Sequence, residues 1–127
     1  MRAFLSSFGA LALASTAAQA APADVNAQSF YLDARDLEAK GMKAMFDKRA
    51  RPAMAAMKDA GERVRDENEA AKSRGAPLYC VSEAQRKKGM SPQMIVDMLG
   101  RVPEAQRKRA TLVQAWRTAL VREYPCT

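Results

Sequence analysis

The chain has 127 residues, a formal net charge of +7, an aromatic content of 6% and no histidine. Without histidine, one chain can build neither a Ser-His-Asp or Cys-His catalytic relay nor the common histidine-containing zinc sites. A chain of this length suits one domain, and so few aromatic residues offer little surface for stacking nucleic-acid bases, so we expect no nucleic-acid partner.

The first 20 residues have the pattern of a secretory signal peptide. Arg2 supplies a positive charge, residues 4–18 are mostly Ala and Leu, and the run ends in a small-x-small motif at Ala20. The apolar run is shorter than the roughly 18 residues that a membrane-spanning helix requires. We therefore predict cleavage between Ala20 and Ala21, export to the periplasm and no membrane span in the mature chain. Removing Arg2 with the leader lowers the formal net charge to +6.

The mature chain, residues 21–127, begins with a small, polar stretch that we expect to be a flexible arm over residues 21–28. A first helix is predicted from an N-cap at Ser29 to about Phe46, because apolar residues recur near every seventh position. Aromatic residues on this helix could leave apolar area exposed, and a two-fold homodimer is the commonest outcome of such exposure.

A second helix is predicted with Pro52 at its first position, where the missing N–H would in any case have no partner. Gly75 is expected to end it in the left-handed conformation, and Pro77 to keep the following chain extended. The expected buried positions recur at steps of three and four residues: Met54, Met57, Ala60 or Gly61, Val64, Asn68 and Ala71.

Carboxylates on the second helix are the best candidates for acid–base chemistry. Asp59 lies three residues before Glu62 and seven before Asp66, so these groups could share a helical face and divide acid and base roles. The alternative is a solvated face with ion pairs such as Arg63 to Glu67. We favour the solvated face and expect no enzymatic activity. No phosphate-binding or dinucleotide motif occurs, so no cofactor is expected.

A connector, residues 76–90, precedes a strong helix start, because Ser91 can cap a helix whose first residue is Pro92. This third helix is expected to end at Gly100 and to bury one face formed by Met94, Ile95, Met98 and Leu99. Another turn is predicted at 102–104. A final helix from about Thr111 is expected to bury Leu112, Ala115, Trp116, Ala119 and Leu120.

Cys80 and Cys126 are the two cysteines of the chain. An exported domain of this size often needs a covalent staple, and the spacing is not that of a C-x-x-C redox or metal motif. We therefore predict one structural disulfide, which would close a long loop and stabilise by about 4 kcal/mol. The predicted fold is all-α: a small single-domain bundle of four or five helices with one disulfide.

Methionines occur in helically spaced groups: Met42 and Met45, Met54 and Met57, then Met90, Met94 and Met98. The favoured interpretation is core packing, since methionine fills irregular gaps between helices. A soft-metal site for Cu(I) and a methionine surface that binds a partner are the alternatives. We expect no metal.

Two basic clusters, residues 86–88 and Arg107-Lys108-Arg109, raise the local positive potential. Such clusters usually serve solubility, but they can also attract an acidic surface. If they serve binding, an acidic protein partner is preferred.

The C-terminal half carries an ordered set of short motifs: Leu78-Tyr79-Cys80, Ser91-Pro92-Gln93, Val102-Pro103-Glu104, Ala119-Leu120 and Tyr124-Pro125-Cys126. The set resembles the Rap/Tai-type immunity proteins, small periplasmic helical proteins that neutralise peptidoglycan amidase toxins of type VI secretion. Cys80 and Cys126 correspond to the cysteines of that pattern. Residues 58–68 depart from it, because they are charged where many members carry a short apolar run.

The resemblance implies an exported, non-enzymatic binding protein that blocks an amidase by occluding its cleft. The alternative is a small periplasmic stress chaperone, or a helical protein of unknown role. A chaperone triggered by acid would have to sense pH through carboxylates, because the chain has no histidine.

Overall fold

A computed structural model describes residues 20–127. This part of the chain contains six α-helices and no β-strand, which confirms the predicted all-α class. The helices are α1 (Ala27–Lys40), α2 (Ala50–Ser73), α3 (Glu83–Lys88), α4 (Pro92–Arg101), α5 (Glu104–Arg109) and α6 (Leu112–Glu123). One helix more than expected appears, because the connector contains α3. The predicted signal peptide lies outside the described residues, apart from Ala20.

The expected flexible arm is instead part of the packed domain. Pro22–Asp24 form a 3₁₀ turn against α2, and Ala23 is fully buried. The Ala23 amide donates to the Asp59 carboxylate at 2.9 Å. Small side chains allow this close approach, so the composition that suggested looseness in fact permits tight packing.

Helix α1 begins earlier than predicted, because Asn26 rather than Ser29 is its N-cap. The Asn26 side chain accepts from the Ser29 amide at 3.0 Å. The helix also ends earlier, at Lys40, where Gly41 adopts a φ of 57°. Beyond it, Gly41–Phe46 form a 3₁₀ helix rather than the last turns of α1. The predicted continuous helix to Phe46 is therefore wrong beyond Lys40.

Helix α2 starts at Ala50, so Pro52 occupies its third position rather than its first. It stops as predicted, with Gly75 at a φ of 78° just beyond its C-cap. The last two helices also begin as expected: Ser91 caps α4 and Thr111 caps α6 through their hydroxyls. Helix α4 extends one residue past Gly100, to Arg101.

The core lies between α2, α4 and α6, with α1 packed across one side. All five residues predicted to be buried on α6 are buried, including Trp116. Leu99, Leu112, Val64 and Val102 are the largest side chains with no exposed surface. None of the helices in residues 20–127 combines the length and the apolar character needed to cross a bilayer.

The predicted disulfide between Cys80 and Cys126 is present, with the two Cα atoms 5.0 Å apart. It joins the connector to the tail after α6, and the Cys80 amide also donates to the Tyr124 carbonyl at 2.8 Å. Buried Asn68 holds the same connector from the other side. Its side-chain oxygen accepts from the Leu78 and Tyr79 amides, and its NH₂ donates to the Tyr79 carbonyl.

Candidate functional site

An apolar groove of about 550 Å³ opens between α1, the 3₁₀ helix 41–46, α2 and the start of α4. We call it the methionine groove. Phe30, Leu37 and Val96, all buried, form much of its floor. The remaining lining residues are Ala34, Glu38, Gly41, Ala44, Met45, Ala50, Ala53, Met54, Met57, Ser91, Pro92, Gln93 and Ile95. Glu38 is the one charged side chain among them.

Two of the three methionines that line this groove are exposed, which corrects their predicted core role. Met45 is 76% exposed and Met54 is 72% exposed. Beside the groove, Met42 and Phe46 reach 84% and 92%. By contrast Met98 is only 3% exposed, whereas Met57 and Met90 are half-buried against the core. Core packing therefore holds for Met98 and fails for Met42, Met45, Met54 and Met94, the last of which is 41% exposed on α4 although it was expected to be buried.

Two features explain why these methionines are exposed: α1 ends at Gly41, and the buried face of α2 does not include Met54. The positive φ of Gly41 ends α1, so Met42 and Met45 do not lie on the buried face that a continuous helix to Phe46 would have given them. On α2 the buried face runs through Ala56 and Ala60, so Met54 points away from the core. Gly41 followed by five residues without a capping side chain, Met42–Phe46, is the sequence signal that could have separated this segment from α1.

An ion-pair network holds the 3₁₀ helix in place. The Arg49 guanidinium contacts the carboxylates of Asp33, Asp36 and Asp47, and the Lys40 ammonium lies 2.7 Å from Asp47. Hydrogen bonds from Arg49 and Lys40 hold the pKa of Asp47 far below its usual value, and Arg49 likewise lowers the pKa of Asp36. The network ties the residues just after the segment to α1, from which the segment itself continues, and so fixes one wall of the groove.

Basic side chains flank the same segment. Lys43, Lys48, Arg51 and Lys58 are exposed and make no ion pair with any of residues 20–127. Each adjoins or lies close in sequence to a residue that lines the methionine groove. Lys58 also lines the second groove described below, so the positive charge next to the methionine groove comes mainly from Lys43, Lys48 and Arg51.

A second groove, of about 630 Å³, lies on the other side of Met57, between α2 and the connector. Its apolar lining includes Tyr79, Trp116 and Leu120, and burial raises the pKa of the Tyr79 hydroxyl. Charged side chains of both signs surround it: Lys58, Glu62, Arg65, Glu69 and Arg86. Because positive and negative side chains both line this groove, its charge does not indicate a particular type of ligand.

The three carboxylates considered for acid–base chemistry do not share one site. Asp59 accepts from the Ala23 amide and lies 3.6 Å from Arg63, so it anchors the N-terminal turn. Glu62 lines the second groove, and Asp66 is exposed. The predicted Arg63–Glu67 pair is also absent.

Both residues of that predicted pair have other partners. Arg63 contacts Asp24 at 2.9 Å, which lowers the pKa of that carboxyl. Glu67 binds Arg117 of α6 through two contacts, at 2.7 and 2.8 Å. These long-range pairs join α2 to the N-terminal turn and to α6, a use of the charges that local spacing does not reveal.

The second basic cluster is divided between surface and core. Lys108 and Arg109 are exposed, but Arg107 is buried. Its guanidinium donates to the carbonyls of Leu99, Gly100 and Val102 at the C-terminal end of α4. A cation is favourable at that end of a helix, because the last carbonyls lack helical partners. Arg107 is therefore a structural residue rather than part of an attracting surface.

No group of three or more histidine, cysteine or carboxylate side chains suited to a metal ion occurs within residues 20–127. No protein-family model matches the chain, and neither the curated proteins nor the solved structures contain a match to it.

Proposed function

We propose that this chain is an exported, non-enzymatic binding protein that receives an amphipathic helical segment of a partner protein in the methionine groove. The observation that carries the proposal is the exposure of Met45 and Met54 on either side of an apolar floor. Exposed apolar area of this kind marks interaction sites, and methionine adapts its shape to a partner at low cost.

The groove has the features of a helix-binding site. It is concave, its floor contains Phe30 and Leu37, and one charged side chain lines it. Partner helices bind such grooves through apolar residues at i, i+3, i+4 and i+7. The Arg49 network would hold the wall in place before binding, which reduces the ordering cost of association.

Export to the periplasm is part of the proposal, and the contacts at Ala21 support it. The Ala21 nitrogen lies 3.0 Å from the Asp24 carboxylate, which Arg63 also contacts. Cleavage after Ala20 would turn this nitrogen into an ammonium group and make the contact charge-assisted. The disulfide is compatible with an oxidising compartment. Intact-mass measurement of periplasmic protein should find a chain that starts at Ala21 and is two hydrogens lighter than its dithiol form.

The specific role we propose is immunity: the bound partner would be a peptidoglycan amidase toxin whose cleft the protein occludes. This rests on the sequence resemblance together with the groove. The test is periplasmic co-expression with each amidase encoded beside the gene. Wild-type protein should prevent lysis by its cognate toxin. Lysis that proceeds unaltered with every such amidase would contradict the immunity role.

Variants connect that assay to the groove. Met45→Ser with Met54→Ser removes two exposed apolar side chains and should weaken protection. Leu32→Ser with Val121→Ser removes two exposed apolar side chains outside the groove and should leave protection intact. Equal protection by both double variants would show that the groove is not the binding site.

A stress-chaperone role is the second candidate, and one observation favours it. The network around Asp47 depends on ionised carboxylates paired with Arg49 and Lys40, so strong acid would weaken the contacts that hold the exposed Met42–Phe46 segment. Such a role requires suppression of client aggregation at low pH. Absence of both added dye binding and aggregation suppression in acid would remove this candidate.

A further inference from the structure

We infer that the partner helix is acidic: a helix whose apolar face enters the methionine groove and whose flanking positions carry Glu or Asp. The inference rests on the proposed function and specifies the chemistry of the partner. Its basis is the placement of unpaired positive charge beside an almost uncharged groove.

The charge around the groove is asymmetric. Between residues 41 and 58 the chain carries five basic residues and one acidic residue, Asp47. Asp47 pairs with both Arg49 and Lys40. The four remaining basic residues, Lys43, Lys48, Arg51 and Lys58, have no acidic partner within residues 20–127 and are exposed.

Opposing negative charge at the groove is small. Glu38 is the one carboxylate among the lining residues. The cluster of Asp33, Asp36 and Asp47 with Lys40 and Arg49 keeps one net negative charge, so two negative charges stand against the four unpaired positive ones. A helix bound in the groove would therefore meet a positive edge beside α2 and the 3₁₀ helix. Acidic flanking residues complement that edge, whereas basic residues would be repelled.

The shape of the site favours a helix over a lipid surface. A bilayer presents a broad, gently curved surface, and the apolar residues here line a recess between three helices, with buried Phe30 and Val96 at its base. A helix ridge can reach such a floor. Exposed Phe46 and Met42 at the edge would then cover the side of the bound helix.

The experiment uses the mature, disulfide-bonded chain and three peptides of about 18 residues, long enough for five helical turns. The peptides share one apolar face of Leu and Ala and differ at the flanking positions, which are Glu, Gln or Lys. Binding is measured by calorimetry at about 50 and 300 mM salt, because screening separates charge effects from apolar contact. The Glu peptide should bind about tenfold more tightly than the Gln peptide at low salt, and this advantage should shrink at high salt.

Two matched triple variants locate the charges responsible. Lys43→Gln, Lys48→Gln and Arg51→Gln remove three charges beside the groove, and should abolish most of the preference for the Glu peptide. Arg86→Gln, Lys87→Gln and Lys88→Gln remove the same charge from α3, none of whose residues lines the groove, and should preserve the preference for the Glu peptide. Equal loss in both variants would overturn the inference, because only the net charge would then matter.

The remaining outcomes separate the inference from the proposed function. If the Glu and Gln peptides bind with equal affinity, and the double variant Met45→Ser with Met54→Ser binds neither, the inference of an acidic partner is overturned, whereas the groove remains a helix-binding site. Failure of all three peptides to bind overturns both. Binding to vesicles that contain phosphatidylglycerol, without binding to any peptide, would instead make the groove a membrane-binding surface. Dimerisation of the wild type that is abolished in the double variant Met45→Ser with Met54→Ser would make it the interface with a second copy of the chain.

Discussion

The guanidinium carbon of Arg107 lies 4.2 Å from the centroid of the Tyr31 ring, so a residue of α5 stacks on α1 while it caps α4. The Tyr31 hydroxyl also occupies the space that a Cβ at Gly100 would need. Three helices thus meet at one buried cation. Helices α1 and α4 also form two sides of the methionine groove, so this junction joins the two helices that line it.

Replacement of Arg107 by Met should destabilise the protein by about 3 kcal/mol, because the buried carbonyls at the end of α4 lose a charged donor. Lys108→Met is the matched control: it removes the same charge from an exposed neighbour and should change the free energy of unfolding by less than about 0.5 kcal/mol. Urea unfolding followed by circular dichroism measures both. Similar effects of the two substitutions would contradict the structural role of Arg107.

Loss of the disulfide, by Cys80→Ser with Cys126→Ser, should lower the free energy of unfolding by about 4 kcal/mol. The helical signal at 25 °C should persist, because Asn68 still binds the backbone of Leu78 and Tyr79. Adding Asn68→Ala should cost about 2 kcal/mol more, since it leaves buried backbone groups without partners. A urea midpoint that does not change on loss of the disulfide would contradict this account.

Stability should fall with acid and vary little around neutral pH. Asp47, Asp36 and Asp24 have lowered pKa values in the folded protein, so each favours folding above the unfolded pKa of about 3.9. That contribution is lost as pH falls from about 5 through the folded pKa values. No histidine is present to add a transition between about pH 5.5 and 7.5.

Asp47→Asn tests this assignment, because it removes the most strongly perturbed of the three carboxyl groups. The urea midpoint of this variant should depend less steeply on pH below about 5 than that of the wild type. Glu83→Gln, on the exposed face of α3, should leave the slope unchanged. If the urea midpoints of the wild type and Asp47→Asn depend on pH in the same way, the Asp47 network does not contribute to the loss of stability in acid.

Mild peroxide should oxidise the methionines in an order set by exposure. Met42, Met45 and Met54 should form sulfoxide well before Met98, which is buried. Peptide mass mapping over time measures each rate. Rapid oxidation of Met98, or protection of Met45 and Met54 in the monomer, would contradict the described packing of the groove.

The elements with the clearest local signals could be predicted from the sequence. Helix α6 combines a threonine cap with a complete apolar face, and both appear where expected. Ser91 with Pro92 is an equally specific start. The disulfide followed from composition alone, because two cysteines allow one pairing within the chain.

The candidate site could not be predicted in the same way, because tertiary contacts decide it. Arg49 forms ion pairs with three carboxylates, two on α1 and one just after the 3₁₀ helix, and these pairs hold the Met42–Phe46 segment in a position where it no longer continues α1. The spacing of residues along the sequence does not predict such contacts. In the basic triplet 107–109, nothing local distinguishes the buried residue from its two exposed neighbours. Met54 is exposed for the same reason: Ala56 and Ala60 lie on the buried face of α2, and α2 packs against α6 and the N-terminal turn.

The most direct test of the proposed binding site is an amide chemical-shift titration of the mature chain with the Glu-flanked peptide. The account predicts saturable shifts at Ala34, Ala53 and Ile95, which line the methionine groove, with little change at Tyr79 or Val81 across the second groove. Shifts confined to Tyr79 and Val81, or none at saturating peptide, would contradict it.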